Sequence, residues 1–394
     1  MLQFTNWKGQ DRYIGKEAFR LDQKEDLQEL LIFAVHQRAS DVIFQTGRPV
    51  FAEIHGHLFA LTRFQLQNND LHRIFLWMTG QPNAVGRLDS GEEIDAAFSI
   101  NDRSQTDDFG EPVSLRFRLN ITAMQYQGAG DGYQAVLRSI PSTAPTFDEI
   151  GFPADLIPYI APSQGAVLIA GPTGSGKTTT FAACIRHVLE GHTTIRGNIL
   201  TYESPIEYSY DNIVSPVATI AQHQIGQHIP SFAAGVRNSL RRKPGLIVIG
   251  EMRDSETIEA AMEAANTGHP VYSTVHANSV SLIFKRMMLK FSADQQFQAF
   301  HDILDTTKVL MSQTLQPKIG GGRCCLREWL IITDEIARQI ELAGPERHVR
   351  LIREVMDSDA RQMPMNRAVA SAVKAGLIDD PTAEFVLRRY GYLT

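Results

Sequence analysis

Cysteine is scarce in this chain of 394 residues, which contains three: Cys184, Cys324 and Cys325. They are too few and too irregularly spaced for a disulfide framework, so a reducing compartment is expected. No two of them have the C-x-x-C spacing of a thiolate zinc site. The sequence therefore predicts neither a disulfide-stabilised fold nor a cysteine-based zinc centre.

Long apolar runs are also missing. The best of them, such as LIVIG at 246–250, are far shorter than the ~20 residues of a membrane-spanning helix. The first residues, MLQFTNWKGQDRYIGK, lack the apolar centre of a signal peptide. We therefore expect a cytoplasmic protein that would reach a membrane only by docking on it from one side.

Positive charge is not in excess, because 38 Lys and Arg residues oppose 44 Asp and Glu residues, a formal net charge of -6. This balance argues against a surface built as a whole to neutralise nucleic acid, although SLRRK at 239–243 is a small basic patch. Apolar residues make up 43% and charged residues 21%, which is ordinary for globular proteins and excludes wholesale disorder. The length suggests two or three domains.

The chain before residue 140 has the patterns of a mixed α/β domain. Residues 1–22 show little periodicity and are predicted to be a flexible or partner-docked arm. The segment EDLQELLIFAVHQ (25–37) carries apolar residues at helical spacing. Residues 40–61 are predicted to form two short strands joined by a turn at 46–49.

The clearest strand of this region is VSLRFRLNI (113–121), in which apolar and polar residues alternate strictly. Arg116 and Arg118 therefore share its polar face, and Arg138 ends the next predicted strand. Solvated arginines on a half-exposed sheet are one interpretation; arginines that face an anionic partner are the other.

A linker is predicted at PSTAP (141–145), whose proline and small polar residues are typical of hinges. The character of the sequence changes after it. We predict an N-terminal domain at 1–140, a linker at 141–150 and a second domain at 151–394.

The second domain begins with apolar strands that alternate with helices. Continuous apolar strands are typical of a parallel sheet buried on both faces, where ligand-binding groups gather at the carboxyl ends of the strands. The four strand segments are GAVLIAG (165–171), GNILTYE (197–203), GLIVIGE (245–251) and PVYSTVHA (270–277). From about Arg323 onward the pattern is mostly helical.

A phosphate-binding loop follows the first of these strands and precedes a helical pattern. It matches G-x-x-x-x-G-K-[ST], in which glycine backbone N–H groups surround phosphate, the lysine reaches the β- and γ-phosphates and the final hydroxyl holds Mg²⁺. This context makes a merely glycine-rich turn improbable. The nucleotide-binding residues predicted here are Gly171, Pro172, Thr173, Gly174, Ser175, Gly176, Lys177 and Thr178.

Glu251 ends the strand LIVIG, where a carboxylate beside a phosphate loop could orient or deprotonate the attacking water. Taken alone, such an acid is more often a helix N-terminal carboxylate. Asp254 and Ser255 then supply the cap of the helix ETIEAAMEAANT, whose apolar stripe predicts packing against the core.

Other strand ends offer further polar groups. Glu203 and Glu207 lie four residues apart across a proline-containing turn and suit Mg²⁺ or water contacts, while His276 follows a strand where a γ-phosphate sensor would lie. Away from a nucleotide site each of them would be an ordinary surface or structural residue. The pair His55-x-His57 has no such support and is predicted to be strand surface rather than a metal site.

Together these segments resemble the secretion and pilus motor ATPases, in particular the PilT-like retraction motors. The likeness runs from about Ala39 to Glu335 and rests on an ordered series of blocks. The blocks are ASDVIFQTGRP, RFRLN, LRSIP, GPTGSGKTTT, ILTYESPIEY, SLRRKPGLIVIGEMRDSETIEAAMEAANTGH, STVHAN and QTLQPKIGGGR.

The resemblance implies a PAS-like N-terminal α/β domain joined to a RecA-like P-loop ATPase domain with a helical C-terminal part. It implies a homohexamer that hydrolyses Mg-ATP on the cytoplasmic side of the inner membrane, attached through platform proteins. The family's Walker B glutamate matches Glu251, its Asp box Glu203 to Glu207, and its His box His276. Its nucleotide-facing arginines match Arg116, Arg118 and Arg138, and Mg²⁺ is expected at Thr178 and Glu203.

The chain also departs from the retraction motors. Ser204 and Gly245 stand where the family usually has acidic residues, and the link at 208–232 is longer than the family's VNQRE-type link. The tetracysteine motif of many assembly-type relatives is missing, which favours the PilT-like branch. These departures, with REWLIITDEIARQI, look most like the DotB/TraJ subgroup of type IVB secretion and conjugation ATPases.

Three functions are therefore compared. The leading one is a hexameric ATP-driven motor for type IVB secretion, conjugation or type IV pilus dynamics. A RecA-like nucleic-acid translocase or helicase is the alternative, although no dense basic or aromatic tract supports it. The third is a non-catalytic, nucleotide-gated adaptor, which would assemble when nucleotide binds but show negligible ATP turnover. A kinase is not favoured, because nothing in the sequence predicts an acceptor pocket or a lid.

Overall fold

The computed structural model describes residues 5–7, 11–15, 19–54, 57–106, 110–128, 130–140 and 143–393. Packing divides the chain into two compact units, residues 1–143 and 144–394. Each unit is built around its own sheet.

The first unit has an α/β fold in which helices cover one sheet. Its elements are β1 (Thr5–Trp7), β2 (Asp11–Tyr13), α1 (Lys24–His36), β3 (Asp41–Gln45), β4 (Phe51–Ile54), β5 (His57–Ala60), α2 (Asn68–Thr79), α3 (Ala84–Asp89), β6 (Ile94–Thr106), β7 (Pro112–Tyr126) and β8 (Gly130–Ile140). The strand order within the described residues is β1-β2-β5-β4-β3-β8-β7-β6, antiparallel except for β2 beside β5.

Described parts of the predicted arm belong to this fold, which corrects the expectation for them. Strand β2 pairs with β5, with Tyr13 opposite Ala60. Ile14 and Leu21 are buried in the core of the unit. A few apolar residues are enough to pack this segment against the core. Because they show no helical or strand periodicity, the sequence pattern did not predict an ordered structure here. Residues 1–4, 8–10 and 16–18 of the arm lie outside the described residues.

Residues 40–61 form three strands rather than the predicted two. Strands β4 and β5 pair as an antiparallel hairpin, with Phe51 opposite Ala60 and Ile54 opposite His57. Gly56 lies between these strands in the sequence and is a turn signal, but the strand-like pattern on both sides of it favoured a single strand. His57 is exposed on β5, as predicted for strand surface, whereas His55 lies outside the described residues.

The alternation predicted for β7 is confirmed. Its inward side chains Leu115, Phe117, Leu119 and Ile121 are buried. Arg118 on the opposite face is directly across from Arg138 of β8. Since residues two apart on a strand share a face, Arg116, Arg118 and Arg138 all lie on one side of the sheet.

The second unit is a mostly parallel α/β sheet followed by helices. Its elements are β9 (Gly165–Ala170), α4 (Lys177–Leu189), β10 (Gly197–Glu203), β11 (Ala218–Gln224), α5 (Phe232–Ser239), β12 (Pro244–Ile249), α6 (Ser255–Asn266), β13 (Pro270–Val275), α7 (Ile283–Met288), α8 (Gln296–Thr306), β14 (Thr307–Pro317), β15 (Arg323–Ile331), α9 (Asp334–Ser358), α10 (Met365–Lys374) and α11 (Asp380–Arg389).

The sheet of this unit confirms the parallel arrangement predicted for the four apolar segments. Its strand order is β11-β10-β12-β13-β9-β14-β15, and every neighbouring pair is parallel except β14 with β15. Val167 and Ile169 of β9 pack into one core, whereas Leu168 and Ala170 pack into the core on the other face. Strand β9 is apolar throughout because both of its faces are covered.

The helix predicted after Glu251 is also confirmed. Asp254 caps α6, because one of its carboxylate oxygens accepts a hydrogen bond from the Thr257 N–H at 2.8 Å. Ile258, Ala261 and Met262 of its apolar stripe are buried. The stripe packs in the core, as expected.

The mostly helical pattern predicted from Arg323 is wrong for its first part. Residues Arg323–Ile331 form β15, which pairs antiparallel with β14. Leu330 and Ile331 are buried in the cores on opposite faces of the sheet, so this segment lacks the one-sided pattern of a half-exposed strand. Helices follow from Asp334, and Gly344, with φ of 66°, breaks α9. Within the described residues no helix is long and apolar enough to cross a bilayer.

Candidate active site

The carboxyl ends of three parallel strands are tied together. The Gly250 N–H donates to the Tyr202 carbonyl at 2.7 Å, and the Thr274 hydroxyl donates to the Gly250 carbonyl at 2.6 Å. The Met252 N–H in turn donates to the Thr274 carbonyl at 3.1 Å. The residues that follow β10, β12 and β13 are therefore held at one edge of the sheet.

The phosphate-binding loop leaves the same edge between β9 and α4. Three of its glycines, Gly171, Gly174 and Gly176, have φ of 149°, 76° and 86°. A Cβ on Gly171 would lie 2.5 Å from the Gln313 carbonyl oxygen, so a side chain has no room there. The predicted loop thus has the positive-φ glycines and close packing that such a cradle requires.

Lys177 turns its side chain toward the loop that precedes it. Its ammonium group donates to the Gly171 carbonyl at 2.9 Å and to the Pro172 carbonyl at 3.1 Å. Burial lowers the pKa of Lys177, and the nearby Glu251 and Glu207 carboxylates oppose that shift. The lysine is therefore within electrostatic reach of two of the predicted acidic residues.

Glu251 and His276 are in direct contact, although 25 residues separate them in the sequence. His276 Nε2 lies 2.9 Å from Glu251 Oε1. Arg253 Nε donates to Glu251 Oε2 at 2.6 Å. The carboxylate, 15% exposed, thus has a partner on each oxygen and is fixed in orientation.

Glu203, at the end of β10, is held by two side chains. Thr201 Oγ1 donates to its Oε1 at 2.5 Å, and Gln222 Nε2 of β11 donates to the same oxygen at 3.1 Å. Burial raises the pKa of Glu203 and the Glu207 charge adds to that rise, while these hydrogen bonds oppose it. Glu207 is exposed on the turn that follows. The two carboxylates are therefore close but differ in environment.

A cleft of about 420 Å³ opens beside the loop. Gly171 and Pro172 form one side of it, and His276, Asn278 and Leu282 line another part of its wall. One cleft therefore joins the start of the loop to His276.

The three arginines are in the first unit, whereas every other predicted site residue is in the second. Arg118 Nη2 donates to Asp95 Oδ2 at 3.0 Å, and Arg138 Nε donates to Asp41 Oδ1 at 2.9 Å. Arg116, half-buried on β7, has no carboxylate partner among the described residues.

Two polar residues of this region were not predicted. Gln222 holds Glu203 and also donates to the Tyr208 carbonyl at 2.9 Å. Gln313 of β14 contacts the phosphate-binding loop. Gln313 lies in the QTLQPK block of the resemblance, but no motif indicated a role for that residue. Gln222 lies in the link at 208–232, where the resemblance is weakest.

The residues present fit a magnesium nucleotide. Gly174 has open space around the position of a Cβ, and the hydroxyl oxygen of Ser175 is buried without a hydrogen-bond partner. The loop therefore combines N–H groups, a lysine and open space, which suits phosphate. Hydroxyl and carboxylate oxygens, the donors of Thr178 and Glu203, are ligands that Mg²⁺ prefers.

Comparison with known proteins agrees with this geometry. A family model described as "Type II/IV secretion system protein" matches residues 25–324. The type IV pilus retraction ATPase PilT of Pseudomonas aeruginosa is 33% identical over 315 residues, covering 80% of this chain and 85% of that protein.

Two solved structures extend the likeness over nearly the whole chain. The ATPase DotB of Legionella pneumophila matches with a TM-score of 0.80 and 36% identity, covering 93% of this chain and 96% of that one. DotB of Yersinia pseudotuberculosis matches with a TM-score of 0.84 and 33% identity, covering 96% of each chain. The chain belongs to the type II/IV secretion system protein family and is a PilT-like, nucleotide-binding ATPase close to DotB.

Proposed function

We propose that this protein is a homohexameric motor that hydrolyses Mg-ATP to power a type IVB secretion, conjugation or type IV pilus machine. The observation that carries the proposal is the Glu251–His276 contact of 2.9 Å at the sheet edge from which the phosphate-binding loop leaves. Phosphoryl transfer to water needs positioning and charge stabilisation more than covalent chemistry by the protein. A fixed carboxylate near a phosphate cradle supplies the positioning.

In this proposal the loop binds the nucleotide phosphates. Backbone N–H groups of residues 173–178 and the Lys177 ammonium group hold the β- and γ-phosphates, helped by the N-terminus of α4. Thr178 and Glu203 would hold Mg²⁺, with Glu207 nearby. Bound there, Mg²⁺ neutralises the charge that develops on the phosphate oxygens.

Glu251 orients the attacking water and accepts its proton. Arg253 and His276 each hold one of its oxygens, so the carboxylate is aimed before the substrate arrives. His276 also lines the cleft next to Gly171, which suits it to contact the γ-phosphate. The Glu251–His276 contact would then link the state of the nucleotide to the position of the base.

The arginine face of the first unit supplies the remaining positive charge in this proposal. Arg116, Arg118 and Arg138 share that face and would contact the nucleotide, within one subunit or across a subunit boundary of the ring. We assign the units as domains at 1–140 and 151–394, with 141–150 as the linker about which they rotate during the cycle.

The cellular role is proposed from the relatives. DotB is an ATPase, PilT is a type IV pilus retraction ATPase, and the family is that of type II/IV secretion system proteins. This chain is therefore proposed to act at the inner membrane as a peripheral protein held by platform proteins. Force produced by the ring would act on that platform. The type IVB branch is favoured because the DotB structures match with TM-scores of 0.80 and 0.84, whereas a PilT structure matches with 0.77.

The test is ATP turnover by Glu251→Gln. We expect ATP hydrolysis to fall at least about 100-fold, as for loss of a general base, while nucleotide binding persists. Glu341→Gln, the same change at an exposed carboxylate of α9, is the control. Retained turnover in Glu251→Gln would exclude Glu251 as the base.

Electron microscopy tests the assembly. With a non-hydrolysable ATP analogue we expect six-membered rings. Particles that remain monomeric would contradict the hexamer. DNA-stimulated hydrolysis with salt-dependent binding of single-stranded DNA would instead favour the translocase alternative.

A further inference from the structure

Gln313 of β14 is a fully buried amide beside the phosphate-binding loop. Strand β14 runs parallel to β9, with Ser312 opposite Ala170, the last residue before the loop. Gln313 therefore lies just beyond the point where the chain of β9 leaves the sheet.

The amide of Gln313 forms hydrogen bonds with one residue before Lys177 and one residue after Thr178. Its Nε2 donates to the Ser175 carbonyl at 2.7 Å, and its Oε1 accepts from the Thr180 hydroxyl at 2.9 Å. A carbonyl can only accept, so the amide nitrogen must face Ser175 and the orientation of the group is settled. Lys177 and Thr178, the proposed phosphate and Mg²⁺ contacts, lie between the two bonded residues.

The backbone of Gln313 acts on the same loop. Its carbonyl oxygen would lie 2.5 Å from a Cβ on Gly171, and its Nε2 would lie 3.3 Å from a Cβ on Gly176. Gln313 thus packs against Gly171 and Gly176, while its side chain bonds Ser175 between them and Thr180 beyond them. Both hydrogen bonds are buried, where a lost partner leaves an unpaired polar group at the full desolvation cost.

We infer that Gln313 is a positioning residue for nucleotide binding, which holds the phosphate-binding loop in shape from the neighbouring strand. The inference rests on the proposed nucleotide site and deepens it. Gln313 does not contact the nucleotide in this scheme; it acts through the Ser175 carbonyl and the first turns of α4.

The experiment compares steady-state ATP hydrolysis and ADP binding by the full-length protein and its variants. Gln313→Met removes both hydrogen bonds at similar volume. We expect KM for ATP and Kd for ADP to rise about tenfold or more, as for one or two buried polar groups left unpaired. Gln316→Met is the matched control, because Gln316 is buried on the same strand but its Nε2 donates to the Thr314 hydroxyl rather than to the loop.

Thr180→Val keeps the test valid even if Gln313→Met folds poorly. It removes one of the two hydrogen bonds and leaves the Ser175 contact in place, so a smaller rise in KM is expected. In the double variant the effects should be less than additive, because both substitutions break the same link. Additive effects, or unchanged KM and Kd in a folded Gln313→Met, would overturn the inference.

Lys177→Ala separates the inference from the proposed function. It should abolish ADP binding if the nucleotide site is assigned correctly. If Lys177→Ala still binds ADP, the site itself is wrong. If Lys177→Ala loses binding while Gln313→Met lowers only the melting temperature, the site stands and Gln313 is merely structural.

Discussion

His276 and Glu251 form a contact of 2.9 Å between strands β13 and β12, through Nε2 and Oε1. Arg253 occupies the other carboxylate oxygen at 2.6 Å. Either group alone would leave the carboxylate free to rotate about its terminal bond. With both in place, the proposed base is oriented by a histidine that also lines the cleft beside the loop.

Replacing His276 should therefore slow hydrolysis without weakening nucleotide binding. For His276→Gln we expect kcat to fall about 100-fold, as for a misplaced reacting group, and the Kd for ADP to stay unchanged. His192→Gln is the control, because His192 also lies near a glutamate, at 3.8 Å from Glu190, but on the surface. An unchanged kcat in His276→Gln would remove the histidine from the proposed mechanism.

Among the three arginines, Arg116 should matter most for turnover. Arg118 and Arg138 already pair with Asp95 and Asp41, whereas Arg116 has no carboxylate partner among the described residues. An arginine that stabilises phosphoryl transfer is worth about 10³-fold or more in kcat. We expect Arg116→Gln to lower kcat by about that factor and Arg118→Gln to lower it less.

The measurement is steady-state hydrolysis, with assembly checked by gel filtration. A larger loss in Arg118→Gln than in Arg116→Gln would contradict the assignment. Loss of assembly in either variant would mean that the arginine holds the ring together rather than contacting nucleotide.

Glu328 should make the stability of the protein depend on pH. Its carboxyl is buried in β15 and accepts from the Val280 N–H at 2.6 Å. Burial raises its pKa from 4.5 to about 7, although the hydrogen bonds and Arg353 oppose the shift. Between these pH values the native state binds a proton that the unfolded state has released, so stability falls as pH rises.

Glu328→Gln lacks this titration. We expect its free energy of unfolding, relative to wild type, to increase by about 3 kcal/mol between pH 4.5 and 7 and to stay level above that. Urea unfolding at pH 5 and pH 8 measures the difference. Glu354→Gln, at an exposed carboxylate of α9, should show no such trend, and the same slope in both variants would refute the explanation.

Gly245 stands where the resemblance to the retraction motors implies an acidic residue. A Cβ there would lie 2.0 Å from the Arg196 carbonyl oxygen, so the two backbones leave no room for any side chain. We expect Gly245→Ala to destabilise the protein by about 2 kcal/mol or more, as overpacking does. Gly86→Ala is the control because nothing lies near its Cβ position, and equal melting temperatures for the two variants would contradict the steric argument.

Local patterns predicted much of this molecule. The phosphate-binding loop, the α6 cap at Asp254 and the alternation of β7 depend on residues a few positions apart, and the structure has all three elements. The meeting of Glu251 with His276 was also foreseeable in outline, since both residues end parallel strands.

Long-range partners were not predictable in the same way. Gln313 and the Ser175 carbonyl are 138 residues apart, and glutamine carries no chemical signature of its own. Strand β15 was missed because its neighbours cover both faces, which removes the alternation that marks a half-exposed strand. In the first unit, Gly56 between β4 and β5 is a turn signal, but the pattern on both sides of it is strand-like and so favoured one continuous strand.

The edge strand β11 sets a limit on how the preceding segment can change in length. Surface connections usually tolerate insertions and deletions. Here Gln222 lies opposite Thr201 in register and holds both Glu203 and the Tyr208 carbonyl. A slip of one residue would turn Gln222 to the other face of the sheet and bring His223 or Ala221 into its place. The number of residues between Tyr208 and Gln222 therefore affects the protonation and orientation of Glu203. In this way the length of a segment at the edge of the sheet constrains the acidic side of the proposed nucleotide site.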